Sequence, residues 1–470
     1  MDTKRFLVNG KWIASDVELP IYAPYDKRQV GAAFQANTAY IEEAISGSLM
    51  AFREAGKLLA EDRQRILQSV SDGIRENHER FSRLIAEEAG KPLKAARVET
   101  ERAIFTFALA AQEAMRVRDE SIALDVQPGI EKRKGTVRRF PAGVVTAITP
   151  FNFPLNLVAH KVAPAIACGC PVILKPAPQT PLTALALAEL IQEAGLPAGH
   201  LQVLPLRNED TAPLIEDDRI KVLSFTGSAA VGWELKSRAR KKRVLLELGG
   251  NAAVIIHNDA DIGHAATRCA AGGFSYAGQS CISVQRILVE RRVYSDFLSE
   301  LLLKVKALRS GDPLDESTDV GPLIRQADAI RVKAWIDEAI AEGAKALCGG
   351  ERNGPMVEPT VLTNTKPAQK VNREEIFGPV VTVEPYDSFE SALVMANDSK
   401  YGLQAGVFTA DRGRIDLAFQ QLEVGGVIVN EVPTFRADQM PYGGVKDSGL
   451  GREGVKYAME EMTERKILVR

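Results

Sequence analysis

From Val144 onward the chain alternates short apolar runs with amphipathic segments, and this alternation constrains the fold more than any other feature. The runs "GVVTAIT", "PVILKP", "LQVLP", "IKVLSF" and "RVLLEL" are typical of strands, and helix-like segments such as "PLTALALAELIQEAG" separate them. Strands that alternate with helices build parallel sheets covered by helices on both faces. A second series starts near "NAAVII" and continues to "GGVIVN". The sequence therefore predicts an α/β fold with two doubly wound, Rossmann-like domains.

Strand-like segments outside the two series predict a third, smaller element. The charged stretch "ALDVQPGIEKRKGTVRR" has a two-stranded pattern, and the chain ends in the strand "RKILVR". Open strand edges tend to be satisfied by pairing, here with another subunit of a homodimer or homotetramer. We therefore predict a first domain of residues 1–122 and 140–247, a second domain of residues 248–450, and oligomerisation strands at 123–139 and 451–470.

Two local features of the N-terminal half predict where elements begin and end. Residues 61–90 carry apolar residues at helical spacing and predict a helix that ends at Gly90, with Pro92 beyond it. Asn9 and Gly10 lie between apolar runs and predict the turn of a β-hairpin.

Composition and charge argue against several kinds of partner. The 470 residues include 59 basic and 61 acidic side chains, without a strong bias, so neither nucleic acid nor an anionic membrane is expected as a partner. The N-terminus lacks the apolar core of a secretory signal. Five cysteines are too few for a disulfide framework, and no cluster of ligand-type residues predicts a metal site. A cytoplasmic enzyme or a cytoplasmic structural protein is expected.

Three residues could carry chemistry. Cys281 in "SYAGQSCISVQR" is either packing material or a nucleophile, and a nucleophile needs a base and an oxyanion donor. Glu247 ends the strand of "LLELGGN", whereas a solvated glutamate would more often lie on a helix face. Asn152 in "TPFNFP" follows a strand, where its carboxamide either donates to an oxyanion or closes a turn.

One strand–helix junction has the form of a phosphate site. Gly227 and Ser228 in "SFTGSAAVG" follow a strand and open a helix, where backbone N–H groups attract phosphate. Without other evidence, such a junction more often serves only to pack the strand against the helix.

Seven segments taken together resemble a known family over essentially the whole chain. In order they are "TPFNFP", "ILKPAPQTP", "FTGSAAVG", "LELGGN", "GQSC", "EEIFGPV" and "PYGGVKDSGLGREG". They resemble the aldehyde dehydrogenase superfamily, and their residues are most similar to those of its lactaldehyde and phosphonoacetaldehyde dehydrogenase members. The resemblance implies that the first domain binds NAD or NADP and that the second domain is catalytic.

The resemblance implies roles for the three chemical residues. The Cys281 thiolate attacks the aldehyde carbon, since sulfur is nucleophilic only when deprotonated. The Asn152 carboxamide and the Cys281 backbone N–H hold the oxyanion, and hydride departs to the nicotinamide. Glu247 then draws a proton from the water that hydrolyses the thioester to the acid.

The resemblance also implies cofactor contacts. Lys175 is directed at the adenosine ribose, Ser228 at the pyrophosphate, Glu375 at the nicotinamide ribose, and Phe377 is its apolar neighbour. Pro178 departs from the pattern, because strictly NAD-dependent members usually carry a glutamate there that repels a 2′-phosphate. Use of both NAD and NADP is therefore expected.

The resemblance places Asn156, His160 and Arg436 in the lining around the aldehyde, with Tyr442 at an aromatic position near it, and this lining is polar. An arginine predicts a short aldehyde with a hydroxyl, carboxylate, phosphate, phosphonate or sulfonate group. Candidates are lactaldehyde, phosphonoacetaldehyde, glyceraldehyde 3-phosphate and succinate semialdehyde.

Several alternatives stay open at this point. Arg436 is either a substrate anchor or a surface or interface residue, and His160 is either a substrate contact or a core histidine. Arg102 and Arg286 are weaker candidates for the anchor. Two other functions remain: a CoA-acylating semialdehyde dehydrogenase, which usually lacks the Glu247 base, and a non-catalytic oligomeric protein that keeps the fold.

Overall fold

Two largely parallel sheets organise the chain. The computed structural model describes residues 3–116, 119–126, 129–130 and 132–470. The strands in chain order are β1 (Phe6–Val8), β2 (Lys11–Ile13), β3 (Glu18–Tyr22), β4 (Gln29–Phe34), β5 (Glu120–Ala123), β6 (Lys134–Pro141), β7 (Val144–Ile148), β8 (Val172–Lys175), β9 (Leu201–Val203), β10 (Ile220–Thr226), β11 (Arg243–Glu247), β12 (Ala252–Ile256), β13 (Val284–Glu290), β14 (Lys345–Cys348), β15 (Arg352–Asn353), β16 (Met356–Val357), β17 (Thr360–Thr363), β18 (Val380–Tyr386), β19 (Tyr401–Gly402), β20 (Gln404–Phe408), β21 (Gly426–Val429), β22 (Val445–Lys446), β23 (Gly449–Leu450) and β24 (Thr463–Val469).

Helices connect and cover these strands. In chain order they are α1 (Thr38–Glu54), α2 (Ala60–Glu76), α3 (His78–Ala89), α4 (Leu93–Ala114), α5 (Asn156–Cys168), α6 (Pro181–Glu193), α7 (Ala212–Glu216), α8 (Ala229–Arg238), α9 (Ile262–Phe274), α10 (Tyr294–Lys306), α11 (Gln326–Ala341), α12 (Lys370–Arg373), α13 (Phe389–Asn397), α14 (Arg412–Gln421) and α15 (Val455–Glu461).

The first sheet reverses its strand order at one point. Its order is β2-β1-β9-β8-β7-β10-β11-β23, and the strands from β7 to β11 are parallel. The chain builds outward from β7 through β8 to β9, and then returns to the other side of β7 for β10 and β11. Ligand crevices form outside the carboxyl ends of strands at such a switch point.

The second sheet has the order β14-β17-β18-β13-β12-β20-β21 and is parallel except for the β14–β17 pair. All residues of the central strands β7 and β12 are buried. Helices cover both faces of such strands, which explains their almost unbroken apolar sequences. The predicted α/β fold with two doubly wound parallel sheets is confirmed.

The smaller antiparallel sheet has the order β24-β6-β5. Its strands extend beyond the predicted segment at both ends, and residues 127, 128 and 131 of that segment lie outside the described residues. Residues 451–470 are not strand throughout, because α15 precedes β24 and buries Val455, Ala458 and Met459 at helical spacing. In addition, β23 pairs with β11, so residues assigned to the second domain complete the first sheet. The domain division itself stays a prediction.

Residues 61–90 form two helices, not the single helix predicted. The chain breaks at Asn77, whose side chain donates a hydrogen bond to the Gly73 carbonyl at 2.9 Å and so competes with the helical backbone bonds. Gly90 ends α3 in the left-handed conformation with φ 67°, as predicted. Asn9 and Gly10, with φ of 52° and 77°, form the predicted hairpin turn between β1 and β2.

Candidate active site

The structure brings the predicted thiol, carboxylate and carboxamide together near the ends of strands of both sheets. Asn152 follows β7, Glu247 is the last residue of β11, and Cys281 shortly precedes β13. The Asn152 Nδ2 donates to the carbonyl of Gln279, two residues before the thiol, at 3.0 Å. The turn after Glu247 packs on the same loop, since a Cβ added at Gly250 would lie 2.2 Å from the Cys281 carbonyl oxygen.

A tight turn presents Cys281. Tyr276, Ala277 and Gly278 adopt positive φ of 51°, 52° and 69°, and a Cβ at Gly278 would lie 2.1 Å from the Gly378 carbonyl oxygen. This close approach requires glycine there. The half-buried Cys281 sulfur lies 3.0 Å from the hydroxyl oxygen of Tyr442.

Burial raises the pKa of the Cys281 thiol to about 12. The Tyr442 hydroxyl and the Arg436 guanidinium oppose this rise, because each stabilises the thiolate. The carboxylates of Glu375 and Glu247 add to the rise. Burial therefore disfavours the thiolate, and Tyr442 and Arg436 offset part of that effect.

The Glu247 carboxyl is 4% exposed, and its Oε2 has no hydrogen-bond partner among the described residues. Burial first, and then the neighbouring Glu453 carboxylate, raise its pKa well above the usual range. The cations of Arg436, Lys161 and Arg452 act in the opposite direction. A buried carboxyl with an orphan oxygen at a strand end can accept a proton from a bound water.

A buried ion pair holds the loop that carries Asn152. The Glu99 carboxylate accepts hydrogen bonds from the backbone N–H groups of Leu155 and Asn156 at 2.9 and 3.1 Å. Glu99 also pairs with the buried ammonium of Lys91. The Asn152 Oδ1 is buried without a hydrogen-bond partner within the described ranges, so the carboxamide is oriented only through its nitrogen.

Lys91 joins this loop to the turn before the thiol. Its Nζ lies 3.6 Å from the centre of the Phe153 ring and 4.6 Å from that of the Tyr276 ring. Burial lowers the pKa of Lys91 to about 8, and the Glu99 carboxylate opposes this change. The sequence reasoning missed both Lys91 and Glu99.

The predicted cofactor residues of the first sheet lie at its carboxyl edge. Lys175 ends β8, is buried, and donates to Asn208 Oδ1 at 2.6 Å. Burial lowers its pKa to about 8. Pro178 is half-buried in the loop that leads to α6.

Gly227 and Ser228 lie on the other side of the switch point. Ser228 is the N-cap of α8, and its side chain makes no capping hydrogen bond. A Cβ at Gly227 would lie 2.5 Å from the Phe225 ring, so this turn needs glycine. The free first-turn N–H groups of α8 suit a pyrophosphate.

Glu375 reaches the same region from the second half of the chain. Its Oε1 accepts a hydrogen bond from the Gly250 N–H at 3.0 Å, and a Cβ at Gly249 would lie 2.3 Å from its Oε2. Burial raises the pKa of Glu375 to about 7. Phe377 has φ 48°, and its ring lies edge-on to that of Phe151, 6.0 Å between centres.

The predicted substrate residues Asn156 and His160 converge on Asp438, which the sequence reasoning missed. Asp438 Oδ1 lies 2.7 Å from His160 Nε2 and 3.3 Å from Asn156 Nδ2. Arg102 completes the cluster with two hydrogen bonds to the same carboxylate, at 2.7 and 3.1 Å. Burial works to raise the pKa of Asp438, but His160 and Arg102 outweigh it and hold that pKa well below its usual range.

Arg436 is buried within the chain, so it is not a surface residue. Its side chain is 6% exposed, and it donates to the Glu453 carboxylate of the same chain at 2.8 Å. Its guanidinium lies 3.8 Å from the centre of the Tyr442 ring. Arg286, a weaker candidate for the anchor, is buried, donates to the carbonyls of Met395 and Ala396, and does not line the cavity beside the thiol.

A cavity of about 280 Å³ opens beside the thiol. Its lining includes Ser280 and Ile282, which flank Cys281, and Phe153, which follows Asn152. Arg102 and Arg268 also line it, so two basic residues contribute to its surface. The sequence reasoning missed Arg268, which pairs with Glu431 at 2.7 Å.

For some of the site residues that the sequence reasoning missed, the sequence contains a feature that could have predicted them. Ala96, Glu99 and Ala103 follow the spacing of the buried face of α4, so a charge on that face predicts a buried partner. Glu453 lies within the quoted segment "PYGGVKDSGLGREG". We find no comparable signal for Asp438 or Arg268.

In the part of the chain that the structure describes, no group of three or more His, Cys, Asp or Glu side chains could hold a metal ion. No helix within the described ranges is long and apolar enough to cross a membrane.

A thiol, a buried carboxyl and a carboxamide beside a dinucleotide-type switch point define an α/β oxidoreductase of the cysteine-containing, NAD(P)-linked class. A sequence profile of the aldehyde dehydrogenase family matches residues 12–468. The chain therefore belongs to the aldehyde dehydrogenase family. The predictions of this enzyme class and of NAD or NADP as cofactor are confirmed at that level.

Several known proteins are similar to this chain. The 3-sulfolactaldehyde dehydrogenase of Priestia aryabhattai is 43% identical, and the match covers 98% of this chain and 97% of that protein. Aldehyde dehydrogenase 21 from Physcomitrella patens, in complex with the reaction product succinate, has a TM-score of 0.98 at 42% identity and covers 100% of this chain and 99% of its own. Glyceraldehyde-3-phosphate dehydrogenase from Methanocaldococcus jannaschii, complexed with NADP, has a TM-score of 0.93 at 39% identity and covers 97% of this chain and 100% of its own.

Proposed function

We propose that this enzyme oxidises a short anionic aldehyde to the carboxylic acid, with NAD or NADP as the oxidant. The observation that carries the proposal is the cavity beside Cys281, which Arg102 and Arg268 help to line. Guanidinium groups suit carboxylate, phosphate and sulfonate. The names of the three similar proteins point to substrates or products with such groups.

The residues at the switch point fit a dinucleotide. Lys175 offers a buried ammonium at the end of β8, and the N-terminus of α8 at Ser228 offers unpaired N–H groups. Glu375 offers a buried carboxylate at the opposite side, close to Cys281. When bound there, the nicotinamide supplies the hydride acceptor.

Each catalytic side chain then has one task. The Cys281 thiolate adds to the aldehyde carbon, and the resulting alkoxide accepts hydrogen bonds from the Asn152 carboxamide and the Cys281 backbone N–H. Hydride leaves the same carbon, and a thioester remains on the sulfur. Glu247 takes a proton from water, the water oxygen attacks the thioester carbon, and the C–S bond breaks to release the acid and the thiolate.

Two variants separate these tasks. Cys281→Ser is expected to lose turnover by about a thousandfold or more, because a hydroxyl is a weak nucleophile without strong activation. Glu247→Gln is expected to form reduced cofactor once per subunit and then stall as the thioester, which mass spectrometry of the intact chain detects. Undiminished turnover in Cys281→Ser would refute the mechanism.

The same assays distinguish the CoA-acylating alternative. In the presence of CoA, hydrolysis yields the free acid, whereas a CoA-acylating enzyme yields the acyl-CoA, and the two products separate by chromatography. The buried Glu247 carboxyl favours hydrolysis, because it can act as the base for water. The non-catalytic alternative predicts no reduced cofactor with any short aldehyde.

The physiological aldehyde is proposed as a class, not as one compound. A panel of lactaldehyde, phosphonoacetaldehyde, glyceraldehyde 3-phosphate and succinate semialdehyde, with the uncharged propanal for comparison, measures the preference for an anion. Arg102→Ala and Arg268→Ala are expected to raise KM for the anionic aldehydes by about tenfold or more and to leave propanal nearly unchanged. Arg97→Ala is the matched control, since Arg97 lies on the same helix as Arg102 but pairs with Glu316 at the surface.

We also propose a homodimer or homotetramer in the cytoplasm. The terminal strand β24 exposes Ile467, Leu468 and Val469 at an edge of the small sheet, which favours pairing with a second subunit. The five cysteines are all unpaired, which favours a reducing compartment. Sedimentation of the full chain, with and without a Leu468→Lys substitution, tests the assembly.

A further inference from the structure

Tyr442 is held rigidly against the nucleophile. Its backbone forms an antiparallel bridge with Glu453, in which the Tyr442 N–H donates to the Glu453 carbonyl at 3.0 Å. Its side chain is 2% exposed, and its hydroxyl oxygen lies 3.0 Å from the Cys281 sulfur. The family resemblance implied only an aromatic residue near the aldehyde at Tyr442.

We propose that Tyr442 is a catalytic residue whose hydroxyl donates a hydrogen bond to the Cys281 sulfur when it ionises, and so stabilises the thiolate that attacks the aldehyde. The direction of the bond follows from the chemistry, because a thiolate has no proton and can only accept. Hydrogen bonds to an ionised group are roughly twice as strong as neutral ones. The proposal rests on the proposed role of Cys281 as the nucleophile.

The charges around the Cys281 sulfur explain why its thiolate needs a hydrogen-bond donor. The carboxylates of Glu375 and Glu247 both disfavour a thiolate, whereas Tyr442 and Arg436 favour it. Tyr442 reaches the sulfur directly, whereas the Arg436 charge acts from behind the tyrosine ring.

Arg436 strengthens this donor. Its guanidinium lies 3.8 Å from the centre of the Tyr442 ring, and Glu453 fixes it there with a hydrogen bond of 2.8 Å. A cation over the ring withdraws electron density and makes the phenol a better donor. Burial keeps the pKa of Tyr442 well above its usual range, an effect to which the Cys281 and Glu247 charges add, so the hydroxyl keeps its proton.

The test is the alkylation of Cys281 by iodoacetamide in the full-length protein, between about pH 7 and pH 10. Below the thiol pKa the rate follows the thiolate fraction, so Tyr442→Phe is expected to slow alkylation about tenfold at each pH. Phenylalanine keeps the ring under Arg436. Cys281→Ser gives the background, and Tyr386→Phe controls for the loss of a buried hydroxyl elsewhere, since that hydroxyl contacts His257 in the second half of the chain.

A second substitution covers the case in which Tyr442→Phe does not fold. With 3-fluorotyrosine at position 442 the ring and its contacts are kept, but the more acidic hydroxyl is a stronger donor. Alkylation is then expected to become about two- to threefold faster at pH 8. A rate within about twofold of the wild type for folded Tyr442→Phe, together with no gain from fluorination, would overturn the proposal. In that case loss of turnover in Cys281→Ser would still support the proposed function, whereas full turnover in Cys281→Ser would refute that function itself.

Discussion

The carboxylate of Glu99 accepts a hydrogen bond from the backbone N–H of Leu155 at 2.9 Å, across 56 positions of sequence. This bond anchors the start of α5 and the loop before it, which carries the Asn152 carboxamide. The oxyanion donor is therefore positioned by a charge on a distant helix, and the Lys91 ammonium balances that charge.

Replacement of Glu99 is expected to damage both stability and catalysis. In Glu99→Gln the Lys91 ammonium loses its buried counter-charge, and breaking a buried pair in this way costs about 3–5 kcal/mol. We expect a lower melting temperature and a fall in kcat of roughly tenfold, with KM little changed, because Asn152 acts on the transition state. Glu101→Gln on the exposed face of α4 is the control and should leave both quantities unchanged.

Gly249→Ala is expected to weaken cofactor binding without unfolding the protein. A methyl group there would lie 2.3 Å from Glu375 Oε2 and must displace that carboxylate. Titration with NADP, followed by protein fluorescence, should give a Kd raised by about tenfold. Gly263→Ala in α9 adds a methyl where its nearest neighbour is 3.7 Å away, so it should bind NADP normally. Equal affinity in both variants would argue against Glu375 as a cofactor residue.

Cofactor affinity should depend on the ionisation of Glu375, whose pKa burial raises to about 7. Below this pH the carboxyl is protonated, and above it the carboxylate accepts hydrogen bonds from ribose hydroxyls and attracts the cationic oxidised nicotinamide. We therefore expect the Kd for the oxidised cofactor to fall as pH rises from about 6 to 8.5. In Glu375→Gln that part of the pH dependence should disappear, and a profile identical to the wild type would contradict the assignment.

Pro178 offers a direct test of cofactor choice. A glutamate at this position would repel the 2′-phosphate of NADP, and like charges placed together cost several kcal/mol at most. Pro178→Glu is expected to lower kcat/KM for NADP by about tenfold or more and to change it for NAD by less than about threefold. Pro178→Gln separates the charge from the loss of the proline ring. Complete inactivity of the wild type with NADP would defeat the prediction of dual use.

The sequence was most informative where the signal is local. Asn9 and Gly10 predict their hairpin turn, because both must adopt positive φ and few other residues do so easily. The unbroken apolar strand at Val144–Ile148 likewise predicts burial on both faces. The prediction of one helix over residues 61–90 was wrong at Asn77, where a side-chain hydrogen bond competes with a continuous apolar pattern.

The residues of the candidate site likewise fall into those that local motifs reveal and those whose contacts only the structure reveals. Cys281, Glu247 and Asn152 were recognised because each lies in a short segment with its own chemistry. For Arg436 the sequence left a substrate anchor and a surface or interface residue open, and the structure shows a buried side chain paired with Glu453 and stacked on the Tyr442 ring. The sequence did not reveal these two contacts, because both depend on the folded chain.

By itself the sequence determined the fold class, the family and the chemical groups of the site. These depend on hydrophobic periodicity and on short motifs, whose residues are close together in sequence. Only the tertiary structure decided which charges neutralise one another and which hydroxyl meets the thiol. Arg102 and Asp438 are 336 positions apart, and Cys281 and Tyr442 are 161 apart. Such contacts form only when the packing of helices and strands brings residues distant in sequence together. Burial then strengthens each interaction, because water no longer screens it.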